Sequence, residues 1–451
     1  MRTVRNSPSL PRLLVSVALI FLPLLTCCQT NQESNVDVPV NAPCSWMAGG
    51  EGTHHRFGYA VGTAGDVNGD GYDDVIVGGD QYKEFTGRVY VYLGSYSGLG
   101  DSPTFVATGE DVNNHYGYAV GTAGDINGDG YDDVIVGAYH HANFQGRAYV
   151  YIGSSDGLVE PASFVLDGEG PGDYFGRSVA TAGDVNGDGY DDAIVGAQAY
   201  DRSTGRAYLY AGGPTGLSAS PAFVVTGQGP SDSFGQSVGS ARDVDGDGYD
   251  DVIVGAHSFD NGTGRIYVYA GDSSGLKANP IFVATGRGRG DRYGFSVGAA
   301  GDANGDGYSD IIVGAHGVGD GIGSVYVYAG GPEGLGARPI FTATGEVAGD
   351  WFGHSVGTAG DVDGDGYDEI VVGARNHDGN TGRVYLYAGG ALGLDATPLF
   401  IFDGRELNSW FGHAVGTAGD IDGDGNAEVI VGAYGHGEWT GQAYVPCTVE
   451  N

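Results

Sequence analysis

One motif, GDVNGDGYDDVIVG at residues 65–78, returns along this chain at a constant interval. Its first aspartate stands at Asp66, Asp125, Asp184, Asp243, Asp302, Asp361 and Asp420, each 59 residues after the last, and no insertion breaks the register. A fixed period of that size belongs to repeat architectures, in which each unit is a supersecondary element that buries its apolar surface only against its neighbours. An aromatic-Gly pair keeps step: Phe57-Gly58, Tyr116-Gly117, Phe175-Gly176, Phe234-Gly235, Tyr293-Gly294, Phe352-Gly353 and Phe411-Gly412.

Four strand-like runs can be placed inside one unit by alternation and flanking glycines: YAVGTAGD (118–125), DVIVGA (133–138), GRAYVYIG (146–153) and SFVLDG (163–168). With 87 glycines and 29 tyrosines against 2 methionines, the composition also favours short strands and tight turns over helices. Seven four-stranded sheets packed radially close a ring and leave only short protected edges, so the fold class expected is all-β, a seven-bladed β-propeller. The Gly, Ala, Ser and Thr of the first run suit an innermost strand, where seven sheets converge.

The last unit ends after its third run, GQAYVPC (441–447), while SWMAGG (45–50) takes the place of a fourth run ahead of the first unit. The N-terminal strand is therefore expected to complete the last blade. Cys447 then ends a third strand and Cys44 precedes a fourth at the same seam, which predicts a Cys44–Cys447 disulfide. Two free buried thiols are the alternative.

Arg2, Arg5 and Arg12 precede an apolar run from Leu13 to Leu25 that is interrupted by Pro23, too short for a comfortable membrane span. Residues 1–27 read as a signal peptide, 28–43 as a polar tether and 44–451 as the propeller. Leu24-Leu25-Thr26-Cys27 is similar to the lipobox of bacterial lipoproteins, which implies lipidation at Cys27 and a place in the cell envelope, with modification at Cys28 or simple secretion as the alternatives. The formal net charge of −37 excludes a nucleic-acid binder, which needs a basic footprint for phosphate.

Four carboxylates within nine residues need explaining. Unit charges about 5 Å apart at an effective dielectric near 20 repel by roughly 3 kcal/mol per pair, so an ordered cluster calls for a cation. The pattern D-x-[DN]-x-D-G-x-x-[DE] offers hard oxygens at positions 1, 3, 5 and 9 and a backbone carbonyl at position 7, which suits Ca²⁺, up to seven ions in all. The ligand sets are Asp66, Asn68, Asp70, Tyr72 and Asp74; Asp125, Asn127, Asp129, Tyr131 and Asp133; Asp184, Asn186, Asp188, Tyr190 and Asp192. They continue with Asp243, Asp245, Asp247, Tyr249 and Asp251; Asp302, Asn304, Asp306, Tyr308 and Asp310; Asp361, Asp363, Asp365, Tyr367 and Glu369; Asp420, Asp422, Asp424, Asn426 and Glu428. Asp73, the eighth residue, is not required and is expected to point outward. Empty Asx turns are the competing reading.

The aromatic-Gly pair, the AGDVNGDGYDD loop and the VIVGA strand in seven tandem copies resemble the FG-GAP repeats of integrin α-subunit β-propellers and related bacterial surface proteins, over residues 45–447. The resemblance implies calcium at the loop positions above and an adhesion or protein-interaction role. It also implies an aromatic cage that receives a basic side chain from a partner. Phe57, Tyr116, Phe175, Phe234, Tyr293, Phe352 and Phe411 would ring the axis near the face opposite the metal loops, with Trp351 and Trp410 beside them; interblade packing is the alternative. A protein or glycan ligand is expected on that face. Arg289-Gly290-Asp291 spells a tripeptide that integrins recognise, but Asp291 occupies the repeat position of Asp173, Asp232 and Asp350.

No catalytic residue is singled out: H-E-x-x-H and phosphate loops are missing, and His54-His55 and His140-His141 lack metal-ligand spacing. The second functional reading is a carbohydrate-active enzyme or glycan binder on the same scaffold. An unrepeated cluster of His, Glu, Arg or Tyr converging on the free face would favour it.

Overall fold

The structure is a computed structural model, and residues 46–448 are described. Cys27 and Cys44 lie outside them. Seven four-stranded antiparallel sheets follow one another in chain order. In the first blade the strands, from the inside outward, are Phe57–Gly65, Asp74–Gly79, Arg88–Tyr92 and Phe105–Thr108. Each inner strand packs beside the inner strands of the blades before and after it, and the last packs beside the first, so the ring is closed.

Each strand's composition follows from its place. The second strand is buried on both faces and reads as an unbroken apolar run, Val75, Ile76 and Val77 all being inaccessible. In the third, Val89 and Val91 face one neighbouring blade while Tyr90 and Tyr92 face the other. Only the outermost strand alternates buried with exposed residues, as a half-solvated strand should. The apolar core is seven layers rather than one, each spanning two adjacent blades.

The expected seam is present. Trp46–Gly49 pairs antiparallel with Gln442–Val445, Trp46 opposite Val445 and Gly49 opposite Gln442, and so supplies the fourth strand of the seventh blade. Trp46 also reaches the first blade, its ring 4.9 Å from Tyr92 and its indole N–H donating to the Gly100 carbonyl at 3.1 Å.

The aromatic-Gly pairs are the joints between blades. Phe57, Tyr116, Phe175, Phe234, Tyr293, Phe352 and Phe411 are 0–3% exposed. They sit in the interblade layers, edge-on to tyrosines of the third strand, as Phe175 does with Tyr208 at 5.3 Å. The expectation that they ring the axis is corrected: packing takes them. Each lies against a glycine of the preceding blade, such as Gly146 against Phe175. A Cβ at Gly146, where φ is +84°, would stand 2.0 Å from the Phe175 carbonyl oxygen, so only glycine permits this approach.

Candidate metal centre and the opposite face

The loop between the inner and second strands is shaped by its first aspartate. In blade one the Asp66 carboxylate accepts the N–H groups of Gly69 at 2.7 Å, Asp70 at 3.1 Å and Gly71 at 2.8 Å, curling the chain back on itself. Asp74 opens the second strand and is fully buried, its carboxylate accepting from Val67 at 3.0 Å and Gly94 at 2.8 Å. The longer Glu369 reaches the same anchor, accepting from Val362 at 2.7 Å and Gly389 at 3.1 Å.

Burial pushes the ninth-position carboxylates up. Asp74, Asp133, Asp192, Asp251, Asp310 and Glu369 rise to about 7 and Glu428 to about 8, with neighbouring loop carboxylates adding to burial and backbone donors opposing it. A cation among them would remove that cost, since opposite charge favours the ionised form.

The residues present fit a hard cation. Carboxylate oxygens of Asp243, Asp245 and Asp251, of Asp361, Asp363 and Asp365, and of Asp420, Asp422 and Glu428 lie within 4.8 Å of one another. These are the loops with aspartate at the third position. In the second loop the third-position oxygen, Oδ1 of Asn127, is buried with no hydrogen-bond partner. An all-oxygen donor set with an unsatisfied amide oxygen is the chemistry Ca²⁺ takes.

The eighth residue overturns an expectation. Asp73 does not point outward: its carboxylate accepts the Asp420 N–H at 2.8 Å, while its own N–H donates to the Asp420 carbonyl at 3.0 Å. The same two-point staple joins Asp132 to Asp66, Asp191 to Asp125, Asp250 to Asp184 and Asp368 to Asp302. At the remaining two joints the residue is Ser309 or Ala427, and only the backbone bond remains, at 3.1 and 2.8 Å. Gly65 and its counterparts make room for the staple, because a Cβ there would meet Asp132 at 2.2 Å. Arg242 replaces that glycine at the joint where Ser309 replaces the aspartate. Replacing Asp132 with Ala should therefore cost about 1–2 kcal/mol, one buried hydrogen bond, with the fold kept as at Ala427. Denaturant melts of Asp132→Ala check this, and Ala427→Asp should shift the midpoint the other way.

At the opposite end of the inner strands, the residue two beyond each aromatic faces the axis. Phe295, His354, His413, Tyr59 and Tyr118 follow one another around it, with ring centroids 5.0, 5.1, 4.6 and 4.8 Å apart. Trp351 lies near parallel to His354 and beneath Arg375, and Trp410 stacks on Tyr434 at 5.3 Å. Sequence reasoning missed this ring, although its positions are among those where the repeats differ most. Asp291 caps its own turn, accepting the Gly288 N–H at 2.6 Å, as Asp173 and Asp232 do in theirs.

Comparison with known proteins agrees with the geometry. The chain is 34% identical over 213 residues to integrin alpha-4 of Xenopus laevis, covering 46% of this chain and 20% of that protein. It is 34% identical over 222 residues to integrin alpha-PS2 of Drosophila melanogaster, covering 45% and 15%. To human integrin alpha-IIb it is 40% identical over 164 residues, covering 34% and 16%. The chain thus spans a fifth or less of the length of these relatives. The FG-GAP repeat model matches residues 57–92, 116–151, 175–210, 234–269, 293–328, 352–387 and 411–445. With seven matched repeats, each the inner three strands of one blade, the chain belongs to the FG-GAP repeat family.

Proposed function

We propose that this chain is a non-catalytic, calcium-stabilised interaction propeller of the cell surface, which holds a protein partner on the face opposite its metal loops. The observation that carries the reading is the contrast between its two ends. One end repeats an all-oxygen loop seven times, and the other presents side chains that differ from blade to blade. Uniform loops suit a shared structural ion, and variable ones suit recognition. The relatives are integrin α-chains, and that likeness supports an adhesion or protein-interaction role. Display at the envelope through Cys27 is part of the proposal, as is the Cys44–Cys447 bridge. The pairing of Trp46 with Val445 supports the bridge, since each cysteine lies two residues along the sequence from its member of that pair, Cys44 before Trp46 and Cys447 after Val445. Peptide mapping without reductant should recover the two cysteines in one linked fragment. Cys44→Ser should then cost about 2–5 kcal/mol. Alkylation of both thiols in the folded, unreduced protein would refute the bridge.

The glycan reading has one observation in its favour, the unrepeated His, Arg and Tyr cluster at the axis. Against it, the aromatic faces there are covered by neighbouring rings and guanidinium groups. The test is to immobilise the protein in calcium and expose it to envelope extract and a polysaccharide panel. Retention of a discrete protein, lost on substitution of the axial residues and kept on substitution of outer-strand residues, supports the reading. Retention or depolymerisation of a polysaccharide with no protein bound overturns it.

A further inference from the structure

The aromatic seats that a partner's cation would occupy are filled by the chain's own arginines. Arg177 lies 4.2 Å from the Tyr118 ring centroid and 5.5 Å from that of Tyr139. Arg375 sits 4.6 Å from Trp351, and Arg56 between 5.2 and 5.6 Å from Tyr59, Tyr434 and Trp439. A cation–π seat holds one cation, and a second would meet the first.

These arginines differ from those elsewhere in the molecule. Arg88, Arg147, Arg206 and Arg383 open third strands, and each pairs with a glutamate at 2.6–3.0 Å. Among the described residues, Arg177 and Arg375 have no carboxylate within ion-pair distance. Arg375 donates to Nδ1 of His413 at 3.0 Å, and its Nε is buried without a partner. Arg56 likewise has an unpartnered buried Nε and lies 3.9 Å from Asp80. Asp80 is itself buried, its Oδ2 held by His115 at 2.8 Å and its Oδ1 without a hydrogen-bond partner. The three guanidinium groups act on one place: with burial, they hold His413 well below the usual imidazole range. In a chain of net charge −37, a partly buried axial cluster with more guanidinium than carboxylate is a local inversion of sign.

We propose that the axial cluster of Arg56, Arg177 and Arg375 is an acceptor for a carboxylate, supplied by an aspartate or glutamate side chain of a protein partner. Guanidinium edges match carboxylates in paired, charge-assisted hydrogen bonds, and the stacked rings hold those edges in place. A slim side chain fits better than a sugar ring, because the ring faces that a pyranose would stack on are already covered. The inference rests on the protein-interaction reading and reverses the sign of the partner group that the family resemblance implies.

The test is ligand-observed NMR on the full chain in calcium, with acetyl-Gly-Glu-Gly-amide as the probe and the Gln and Arg tripeptides and trigalacturonate as comparisons. The Glu peptide should bind saturably and weaken about tenfold or more in Arg177→Gln, with partial retention in Arg177→Lys and no change in Arg88→Gln. Arg375→Gln should show the same loss, so the result does not depend on one variant folding. Equal binding of the Gln peptide, preference for the Arg peptide, or binding of trigalacturonate without the Glu peptide would each overturn the proposal. Capture of a protein partner that Arg177→Gln leaves intact would overturn this inference alone. Arg177-dependent binding of the Glu peptide by a chain that captures no protein would overturn the interaction reading instead.

Discussion

Withdrawing divalent cation should lower the melting temperature by about 10 °C or more, a larger effect than any single substitution considered above. A ligand held at one hundred times its dissociation constant stabilises the folded state by about 2.7 kcal/mol per site, and the loops are seven. Without a cation, Asp66, Asp70 and Asp74 and their counterparts repel one another, and burial shifts the ninth carboxylate toward its protonated form. Domains of some 150–250 residues shift by roughly 2–4 °C per kcal/mol, and this larger one by less, so even partial occupancy gives a large displacement. Melts in millimolar calcium and in chelator, at matched ionic strength, measure it. A chelated protein that melts within a degree or two of the calcium form would leave the loops as Asx turns only.

The second large effect is expected at an interblade joint. Phe175 is inaccessible, packs edge-on to Tyr208, and fills the layer between the second and third blades. Removing that ring should cost about 3–5 kcal/mol, the range for phenylalanine truncation in a well-packed core. Phe175→Ala should melt markedly lower in calcium, and Phe175→Leu should recover most of the loss. If the aromatic-Gly residues formed a partner cage instead, Phe175→Ala would abolish capture with an unchanged melt. The packing excludes that outcome.

Much of this fold can be read from the repeat alone. The constant 59-residue interval, four alternating runs per unit and a fourth run displaced to the N-terminus lead to seven blades closed by Trp46–Gly49. Each step needs only local pattern and the absence of insertions. Contacts between repeats are harder to see. Asp73 looked superfluous because a single loop of this pattern needs no fourth carboxylate, and its partner, Asp420, is 347 residues away. The clue was present as a covariation within the chain, Gly65 with Asp132 but Arg242 with Ser309, and it becomes visible when joints rather than units are aligned. The axial ring escaped for a different reason. The aromatic before glycine is the conspicuous residue, but glycine's positive φ turns the chain so that the ring enters the interblade layer. The less conspicuous residue after the glycine is the one that reaches the axis.

The turn of each loop is legible because the pattern D-x-[DN]-x-D-G fixes both the spacing and the carboxylate that gathers the backbone N–H groups. That Glu369 meets the same anchor as Asp74 could not be read in this way, since it depends on where the strand begins. The measurement that bears most directly on the account is the number of calcium ions bound per chain, by equilibrium dialysis of the cation-stripped protein followed by metal analysis. Saturation near seven ions is expected, falling by one when a single loop carries a double substitution such as Asp243→Ala with Asp247→Ala. Saturation at none or one, in a protein that remains folded, would contradict it.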